Sequence, residues 1–197
     1  MTSTTTMLND ILADPDPDGV GVRIMDAALA EYLAHGFRRT SVDDIARRAG
    51  LGRATIYRRF ATRDELVNAV LTRECRQLFA DIAAAGDGLP TVADRLVEGF
   101  VVGLRKALNQ PLLHRMITTE PEAWLPFLTT SGGPTVAVLR EFLVQQYRIT
   151  PGVAEIVVRL SISLVLTPDS CLAFGTDDEA RATARRYLAP LVTTPTG

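Results

Sequence analysis

Cysteine, histidine and lysine are all scarce in this chain of 197 residues. The two cysteines, Cys75 and Cys171, are too few for a disulfide framework, and neither stands in the spacing of a metal-ligand set. The two histidines, His35 and His114, lie far apart in the sequence. There is also no nucleophile elbow and no phosphate-binding glycine loop. These absences argue against an enzyme, and we expect neither a metal nor another cofactor.

Long apolar runs are absent as well. No apolar stretch approaches the ~20 residues that span a bilayer, and the start of the chain lacks the basic-then-apolar pattern of a secretory signal. We therefore expect a cytoplasmic protein with no membrane partner. Apolar residues nonetheless make up 47% of the chain, which is enough for a sizeable core. The formal net charge of −2 does not by itself indicate a nucleic-acid-binding protein.

The charge is distributed unevenly along the chain. Residues 36–64 contain eight arginines against three aspartates, whereas the whole sequence is slightly acidic. Such a local basic patch attracts phosphates even when the rest of the molecule does not. This segment is therefore the first candidate for contact with a polyanion.

Helical spacing of apolar residues runs through most of the sequence, and strand signals are rare, which predicts an all-α fold. Residues 1–20 are rich in threonine, aspartate and proline and are predicted to form a flexible tail. We place a first domain at residues 21–66, with a linking helix that continues to about residue 85. The Gly-Asp-Gly-Leu-Pro stretch at 86–90 breaks the pattern. A second helical domain is expected over residues 87–192.

Residues 41–60 read SVDDIARRAGLGRATIYRRF, which predicts two short helices joined by a turn. Ser41 and Asp44 approximate a capping box at the start of the first helix, and Gly50 permits a left-handed turn at its end. On the second helix Ile56 and Phe60 lie four residues apart and face inward. The remaining side chains are left facing outward, on a helix of a size that fits the major groove of DNA.

The stretches AALAEYLAHGFRRTSVDDIARRAGL, GRATIYRRF and ATRDELVNAVL, in this order, resemble the TetR family of bacterial transcriptional regulators over about residues 21–71. The resemblance implies an N-terminal three-helix DNA-binding domain of the helix-turn-helix type. It also implies a C-terminal helical domain for ligand binding and dimerisation. One departure is Gly52, which stands where family members often have a serine or threonine that caps the recognition helix.

Geometry and resemblance together assign candidate roles in DNA binding. Phosphate contacts set the register of a protein on the duplex, whereas contacts to base edges give sequence preference. For base reading we favour Arg53 and Arg58, whose guanidinium groups suit guanine, and Thr55, whose methyl group suits thymine. Ala54 has no bulky side chain, so it allows the helix to approach the DNA closely. The candidate phosphate contacts are Thr40, Ser41, Tyr57 and Arg63, the last standing where the family usually has a phosphate-binding lysine. Gly52 also belongs to the candidate DNA-binding residues, although it has no side-chain oxygen to offer to a phosphate.

The C-terminal half offers candidates for a ligand pocket and a dimer interface, as the resemblance implies. Aromatic side chains and methionine line apolar pockets, but they also fill ordinary cores. The pocket candidates are Phe100, Leu104, Met116, Trp124, Phe127, Phe142 and Tyr147. The helix around residues 153–166 is apolar on more than one face, which indicates either a dimer contact or a central position within a monomer. The dimer candidates are Ile156, Leu160, Leu164, Ala184, Tyr187 and Leu188.

The sequence therefore predicts a DNA-binding transcriptional regulator with no enzymatic activity. We expect a ligand-responsive repressor that binds an inverted-repeat operator in double-stranded DNA as a homodimer. The expected effector is a small apolar or aromatic molecule. The alternative is an architectural or partner-controlled DNA-binding protein with no small-molecule effector.

Overall fold

The computed structural model describes residues 4–13 and 19–193, which form twelve helices and no strand. This confirms the predicted all-α class. The helices are α1 (Thr4–Leu12), α2 (Gly19–His35), α3 (Val42–Ala49), α4 (Arg53–Arg59), α5 (Arg63–Ala85), α6 (Val92–Leu108), α7 (Pro111–Thr119), α8 (Pro121–Leu128), α9 (Gly133–Tyr147), α10 (Pro151–Leu166), α11 (Asp177–Tyr187) and α12 (Ala189–Thr193).

The chain divides into two compact units, and α5 contributes residues to both. The N-terminal unit comprises Ile11–Arg76 together with Pro111–Leu125. The C-terminal unit comprises Gln77–Gln110, Pro126 onward and the first ten residues, as far as these are described. Within the described residues no helix is both long enough and apolar enough to cross a membrane.

The core of the N-terminal unit lies among α2, α3, α4, the start of α5 and α7. Its members share near-complete burial and helical spacing, so each helix contributes one apolar stripe. They include Ile24, Ala28, Tyr32, Phe37, Ile45, Ala49, Ile56, Phe60, Leu66, Val70 and Leu112. Two side chains brace α3 against α2: the Arg23 guanidinium donates to the Ala49 carbonyl at 2.6 Å, and Arg48 pairs with the buried Glu31 at 2.6 Å.

The C-terminal unit packs α6 with α9, α10 and α11 around a second apolar core. Phe79 of α5 stacks on Phe142 of α9, with ring centroids 4.1 Å apart and planes 7° from parallel. On the outside of this core, Arg181 of α11 makes two hydrogen bonds to Glu98 of α6, at 2.6 and 3.0 Å. This bidentate pair fixes α11 along α6.

Residues 4–12 differ from the flexible tail predicted for residues 1–20, because they form helix α1. Leu8 is completely buried, and the Arg76 guanidinium donates to the Ile11 carbonyl at 2.6 Å. A cationic donor at the last carbonyls of a short helix satisfies groups that the helix cannot pair internally. Residues 1–3 and 14–18 of the predicted tail lie outside the described residues.

Residues 111–125 were predicted to belong to the second domain but lie in the N-terminal unit. Leu112 is 2% exposed within the core of that unit, and Met116 and Trp124 pack against the same core. Phe37 and Trp124 have ring centroids 4.7 Å apart. Helix α7 and the first part of α8, up to Leu125, therefore belong to the unit that carries the helix-turn-helix.

Candidate nucleic-acid interface

The predicted capping and turn residues form the helix-turn-helix. The Ser41 hydroxyl accepts from the Asp44 amide at 3.2 Å, and the Asp44 carboxylate accepts from the Ser41 amide at 3.1 Å, which completes the capping box of α3. At the other end Gly50 takes a left-handed conformation with φ of +63°. Glycine accepts this conformation without steric cost, so the chain turns sharply into α4.

Helix α4 presents its polar side to solvent. Ile56 and Phe60 are 1% and 8% exposed, and they fix the helix to the core. The outward side carries Arg53, Ala54, Tyr57 and Arg58, all exposed, while Thr55 is half-buried. The predicted base-reading positions therefore lie on the outer side of α4, with Thr55 at the edge of the buried stripe.

Arg53 has two side-chain partners. Its Nη1 donates to Oδ2 of Asp43 on α3 at 3.2 Å, and its Nη2 donates to the Tyr57 hydroxyl at 3.4 Å. The guanidinium also lies 5.4 Å from the centroid of the Tyr57 ring. The hydrogen bond with Tyr57, followed by the charge of Asp43, raises the pKa of Arg53 above its ordinary value. Asp43 is a site residue that only its contact with Arg53 reveals.

Thr40 does not hold the surface position that the sequence predicts for a phosphate contact. Its side chain is buried, and its hydroxyl donates inward to the carbonyls of Gly36 at 2.8 Å and Glu31 at 3.2 Å. These bonds satisfy carbonyls at the end of α2, which explains why a threonine can be buried there. In this structure the Thr40 hydroxyl is therefore turned away from the surface where the prediction needs it to meet a phosphate.

Ser41 is exposed as predicted, but its hydroxyl is engaged locally. It donates to Asp44 Oδ2 at 2.5 Å, in addition to accepting from the Asp44 amide. Hydrogen bonds from Ser41 hold the pKa of the Asp44 carboxyl below its ordinary value. A phosphate near Ser41 would therefore meet an ionised carboxylate as well as the first amides of α3.

Arg63 is half-buried at the start of α5 and reaches back to the α2–α3 connection, residues 36–41. Its Nη2 donates to the Phe37 carbonyl, and its Nε donates to the Thr40 carbonyl at 3.4 Å. Its third side-chain contact is a weak one, to Asp64 at 3.9 Å. The residue that the resemblance assigns to phosphate binding thus also holds the backbone immediately before α3.

Helix α8 holds the same connection from another side. The buried Glu120 accepts from the Arg38 amide at 3.1 Å, and the exposed Glu122 pairs with the Arg38 guanidinium at 3.0 Å. Gly36 has φ of +85°, and a Cβ at that position would lie 2.7 Å from Glu120 Oε1. Sequence reasoning missed these contacts, because nothing in the local pattern links residues 36–41 to residues about 80 positions later.

The predicted pocket residues do not share one environment. Phe100, Leu104, Phe142 and Tyr147 are buried in the C-terminal unit. Phe79 stacks on Phe142 there, and the Phe174 ring is tilted against Phe100 with centroids 6.1 Å apart. Phe127 is exposed. Met116 and Trp124 belong instead to the N-terminal unit and pack on its core, so the prediction that they line the same pocket is not supported by their placement.

The predicted dimer residues divide into two groups. Ile156 on α10 and Tyr187 on α11 are 52% and 50% exposed, and Leu160 is half-buried. Leu164, Ala184 and Leu188 are buried within the chain, because α10 and α11 direct these positions into their own core. Leu164, Ala184 and Leu188 are therefore not exposed to a second subunit in this structure. Leu191, which is 36% exposed, is an additional surface candidate for the dimer interface.

The sequence of this chain is similar to those of known transcriptional regulators. Residues 24–70 match the model described as "Bacterial regulatory proteins, tetR family". The HTH-type transcriptional regulator Rv1255c of Mycobacterium tuberculosis is 28% identical over 176 residues, covering 87% of this chain and 84% of that protein. The HTH-type transcriptional repressor SCO4008 of Streptomyces coelicolor is 30% identical over 87 residues, covering 44% and 45% of the two chains.

Solved structures agree on the fold. The transcriptional regulator SCO7518 from Streptomyces coelicolor has a TM-score of 0.65 and 19% identity, covering 90% of this chain and all of that one. The residues that match the family model, 24–70, contain the whole of α3, the turn and α4, which is the exposed helix that carries the arginines. Residues 24–70 therefore form a DNA-binding domain of the TetR-family type, and the helical fold of the whole chain is shared with solved TetR-family structures.

Proposed function

We propose that this regulator is a ligand-responsive repressor that binds an inverted-repeat operator as a homodimer, with α4 in the major groove. The observation that carries the proposal is the two-sided character of α4. Ile56 and Phe60 anchor the helix in the core, and Arg53, Tyr57 and Arg58 project on the opposite, exposed side. A seven-residue helix held in this way presents its polar side chains to base edges and phosphates.

Base reading is assigned to Arg53, Arg58 and the methyl group of Thr55. Arginine binds O6 and N7 of guanine with two hydrogen bonds, and each such bidentate contact contributes about 1–3 kcal/mol of discrimination between bases. Ala54 lies beside them without a bulky side chain, which allows the backbone of α4 to approach the duplex. These assignments rest on exposure and on chemistry.

Phosphate contact is assigned to the Tyr57 hydroxyl, to the free amides in the first turns of α3 and α4 that follow Ser41 and Gly52, and to Arg63. The amides stand at the N-termini of α3 and α4, where unpaired N–H groups and the helix dipole favour anions. Gly52 has no side-chain cap on α4, so the first amides of that helix have no side-chain acceptor from their N-cap residue. Arg63 can contribute positive charge while it remains bonded to the Phe37 and Thr40 carbonyls.

The homodimer is assigned to the exposed apolar positions of α10, α11 and α12. Ile156, Tyr187 and Leu191 are large apolar side chains that remain exposed in the single chain. Burial of such a surface against a second copy removes it from water, and a two-fold axis presents two copies of α4 on one duplex. Half-sites are then separated by about one helical turn, ~34 Å, or by a multiple of it.

Ligand response is assigned to the C-terminal unit, with α5 as the element that transmits it. Helix α5 is continuous from Arg63 to Ala85, and its residues belong first to one unit and then to the other. A small apolar or aromatic effector that binds among Phe100, Leu104, Phe142 and Tyr147 would favour a different tilt of α5. It releases DNA only if its affinity differs between the two conformations.

Selection of bound duplexes from a random pool tests the DNA-binding proposal. We expect an enriched inverted repeat with at least one guanine in each half-site. Arg53→Ala should weaken binding to the enriched duplex by ~1–3 kcal/mol and relax preference at one base pair, and Arg47→Ala, which removes an exposed arginine from α3, serves as the control. Recovery of no enriched sequence, or equal losses for both variants on every duplex, would contradict the proposal.

The dimer and the effector need separate tests. Sedimentation of the wild type at low micromolar concentration should show a dimer, and Ile156→Glu should shift it to monomer, whereas the exposed Gln145→Glu should not. If the wild type sediments as a monomer, the proposal that the protein is a homodimer is refuted.

A thermal-shift screen of apolar metabolites should find a ligand that raises Tm with its concentration. A saturating ligand that leaves operator affinity unchanged would contradict ligand response.

A further inference from the structure

The basic surface around α4 contains an acidic side chain that faces its candidate guanine reader. Asp43 stands in the first turn of α3, and its side chain is 58% exposed. It lies 3.2 Å from the Arg53 guanidinium, whose side chain is 59% exposed. A carboxylate in this place repels DNA phosphates, so its presence beside Arg53 opposes general DNA affinity.

The other two aspartates of residues 36–64 have different partners. Asp44 completes the capping box with Ser41 and pairs with Arg47 at 3.1 Å. Asp64 stands in the first turn of α5, 3.9 Å from Arg63, with a side chain that is 91% exposed. Asp43 thus differs from both, because its carboxylate contacts an outward-facing arginine of α4.

A count of donors shows that the pair leaves Arg53 able to bind a base. A guanidinium has five N–H donors in a planar arrangement. Asp43 takes one from Nη1 and Tyr57 takes one from Nη2, so three remain, distributed over Nε, Nη1 and Nη2. Two adjacent donors are sufficient for the bidentate contact with guanine. The orientation of the guanidinium is meanwhile restricted by two fixed partners, which lowers the entropic cost of binding.

We propose that Asp43 is a specificity-determining residue, which orients Arg53 for a guanine and weakens its attraction for phosphates. This inference rests on the proposed function, in which Arg53 reads a base. The carboxylate of Asp43 partly neutralises the charge of Arg53, which lowers the affinity of the protein for any duplex. The fixed orientation preserves binding where a guanine is correctly placed. Asp43 therefore increases the ratio of specific to non-specific affinity.

The test compares the enriched duplex with a random-sequence duplex of equal length, at one fixed salt concentration. Asp43→Asn should strengthen binding to the random duplex by about three- to fivefold, the size expected for loss of one exposed ion pair and its repulsion of phosphates. Binding to the enriched duplex should rise less or fall, so the ratio of the two affinities should decrease by at least about threefold.

Asp64→Asn is the matched control, because it removes the same charge from the first turn of a helix in the same unit and does not contact Arg53. It should affect both duplexes alike and leave the ratio unchanged. In an Arg53→Ala background, Asp43→Asn should no longer change the ratio. A ratio that Asp43→Asn leaves unchanged, or changes equally with and without Arg53, would overturn the role of Asp43.

Failure of the underlying function gives a different result. If wild-type protein prefers no duplex, or if Arg53→Ala alone does not relax preference, then Arg53 is not a base reader and the proposed function fails first. If Arg53→Ala relaxes preference and Asp43→Asn does not, only the inference about Asp43 is refuted.

Discussion

Gly99 of α6 lies directly against the hydroxyl of the buried Tyr147 at the end of α9. A Cβ on Gly99 would overlap the Tyr147 oxygen and would lie 2.9 Å from its Cζ. The same hydroxyl donates to the Ile82 carbonyl of α5 at 3.4 Å. The absence of a side chain at residue 99 is therefore what allows a tyrosine to join three helices of the C-terminal unit.

Gly99→Ala should destabilise the protein by about 1–3 kcal/mol, because the added methyl group overpacks a closed contact. Gly152→Ala is the control, since a Cβ there meets no atom within 4 Å and residue 152 is also helical. The control should be neutral or slightly stabilising because alanine has the higher helix propensity. Chemical denaturation monitored by circular dichroism measures both, and equal midpoints for the two variants would contradict the close contact.

Glu120→Ala should cost about 1–3 kcal/mol of unfolding free energy, because the partly buried Arg38 amide N–H loses the carboxylate that accepts its hydrogen bond. Glu122→Ala removes a second partner of the same residue, but that ion pair joins side chains that are 71% and 64% exposed. Its loss should cost under about 1 kcal/mol. Denaturant titration of both variants compares the two, and a larger loss for Glu122→Ala would show that Glu120 does not secure the α2–α3 connection.

Arg63→Ala should lower both DNA affinity and stability, since Arg63 bonds to the Phe37 and Thr40 carbonyls. The stability loss should be about 1–3 kcal/mol. The affinity loss should be uniform across sequences, with a reduced salt dependence. Asp64→Ala removes only a 3.9 Å contact and should leave stability within about 0.5 kcal/mol of the wild type. Normal stability of Arg63→Ala would leave phosphate contact as its sole role.

Alkaline pH should destabilise the fold through its buried tyrosines. Burial raises the pKa of Tyr32 to about 12, from an ordinary value of 10.0, and burial also raises the pKa of Tyr147. The folded state therefore favours the protonated phenols, so stability is retained below pH 10 and falls as pH rises from 10 towards 12. Thermal unfolding at pH 8, 10 and 11 measures this fall.

Tyr32→Phe should reduce the alkaline loss while changing stability little at pH 7. Within the described residues the buried Tyr32 hydroxyl has no hydrogen-bond partner, so its removal leaves no group unsatisfied. The ring remains stacked on Phe37 at 4.7 Å. An unchanged alkaline loss in this variant would show that Tyr32 does not contribute to it.

Local signals were sufficient to predict the helix-turn-helix. The capping box of Ser41 and Asp44, the left-handed Gly50 and the inward pair Ile56 and Phe60 each involve residues no more than four positions apart. Hydrogen bonding and side-chain periodicity at such spacing depend on the backbone of one helix. The exposure of Arg53 and Arg58 followed from the same periodicity, as the side of α4 opposite the buried residues.

Contacts between distant residues were not accessible to this reasoning. Thr40 has the residue type of a surface phosphate contact, but it is buried because its hydroxyl is needed by carbonyls at the end of α2. Leu164, Ala184 and Leu188 fit an apolar interface pattern, yet they fill their own chain's core. An apolar residue has the same local signature whether a second helix or a second subunit covers it.

Short-range spacing along the chain was enough to predict the helical class, the order of the helices around residues 41–60 and the arginine-bearing side of α4. Three other features follow only from the packing of distant segments: Glu120 accepts from the amide of Arg38, Met116 and Trp124 pack in the N-terminal unit, and Asp43 pairs with Arg53. The choice of partner among many chemically suitable side chains depends on how helices pack in three dimensions. That packing is a property of the whole chain.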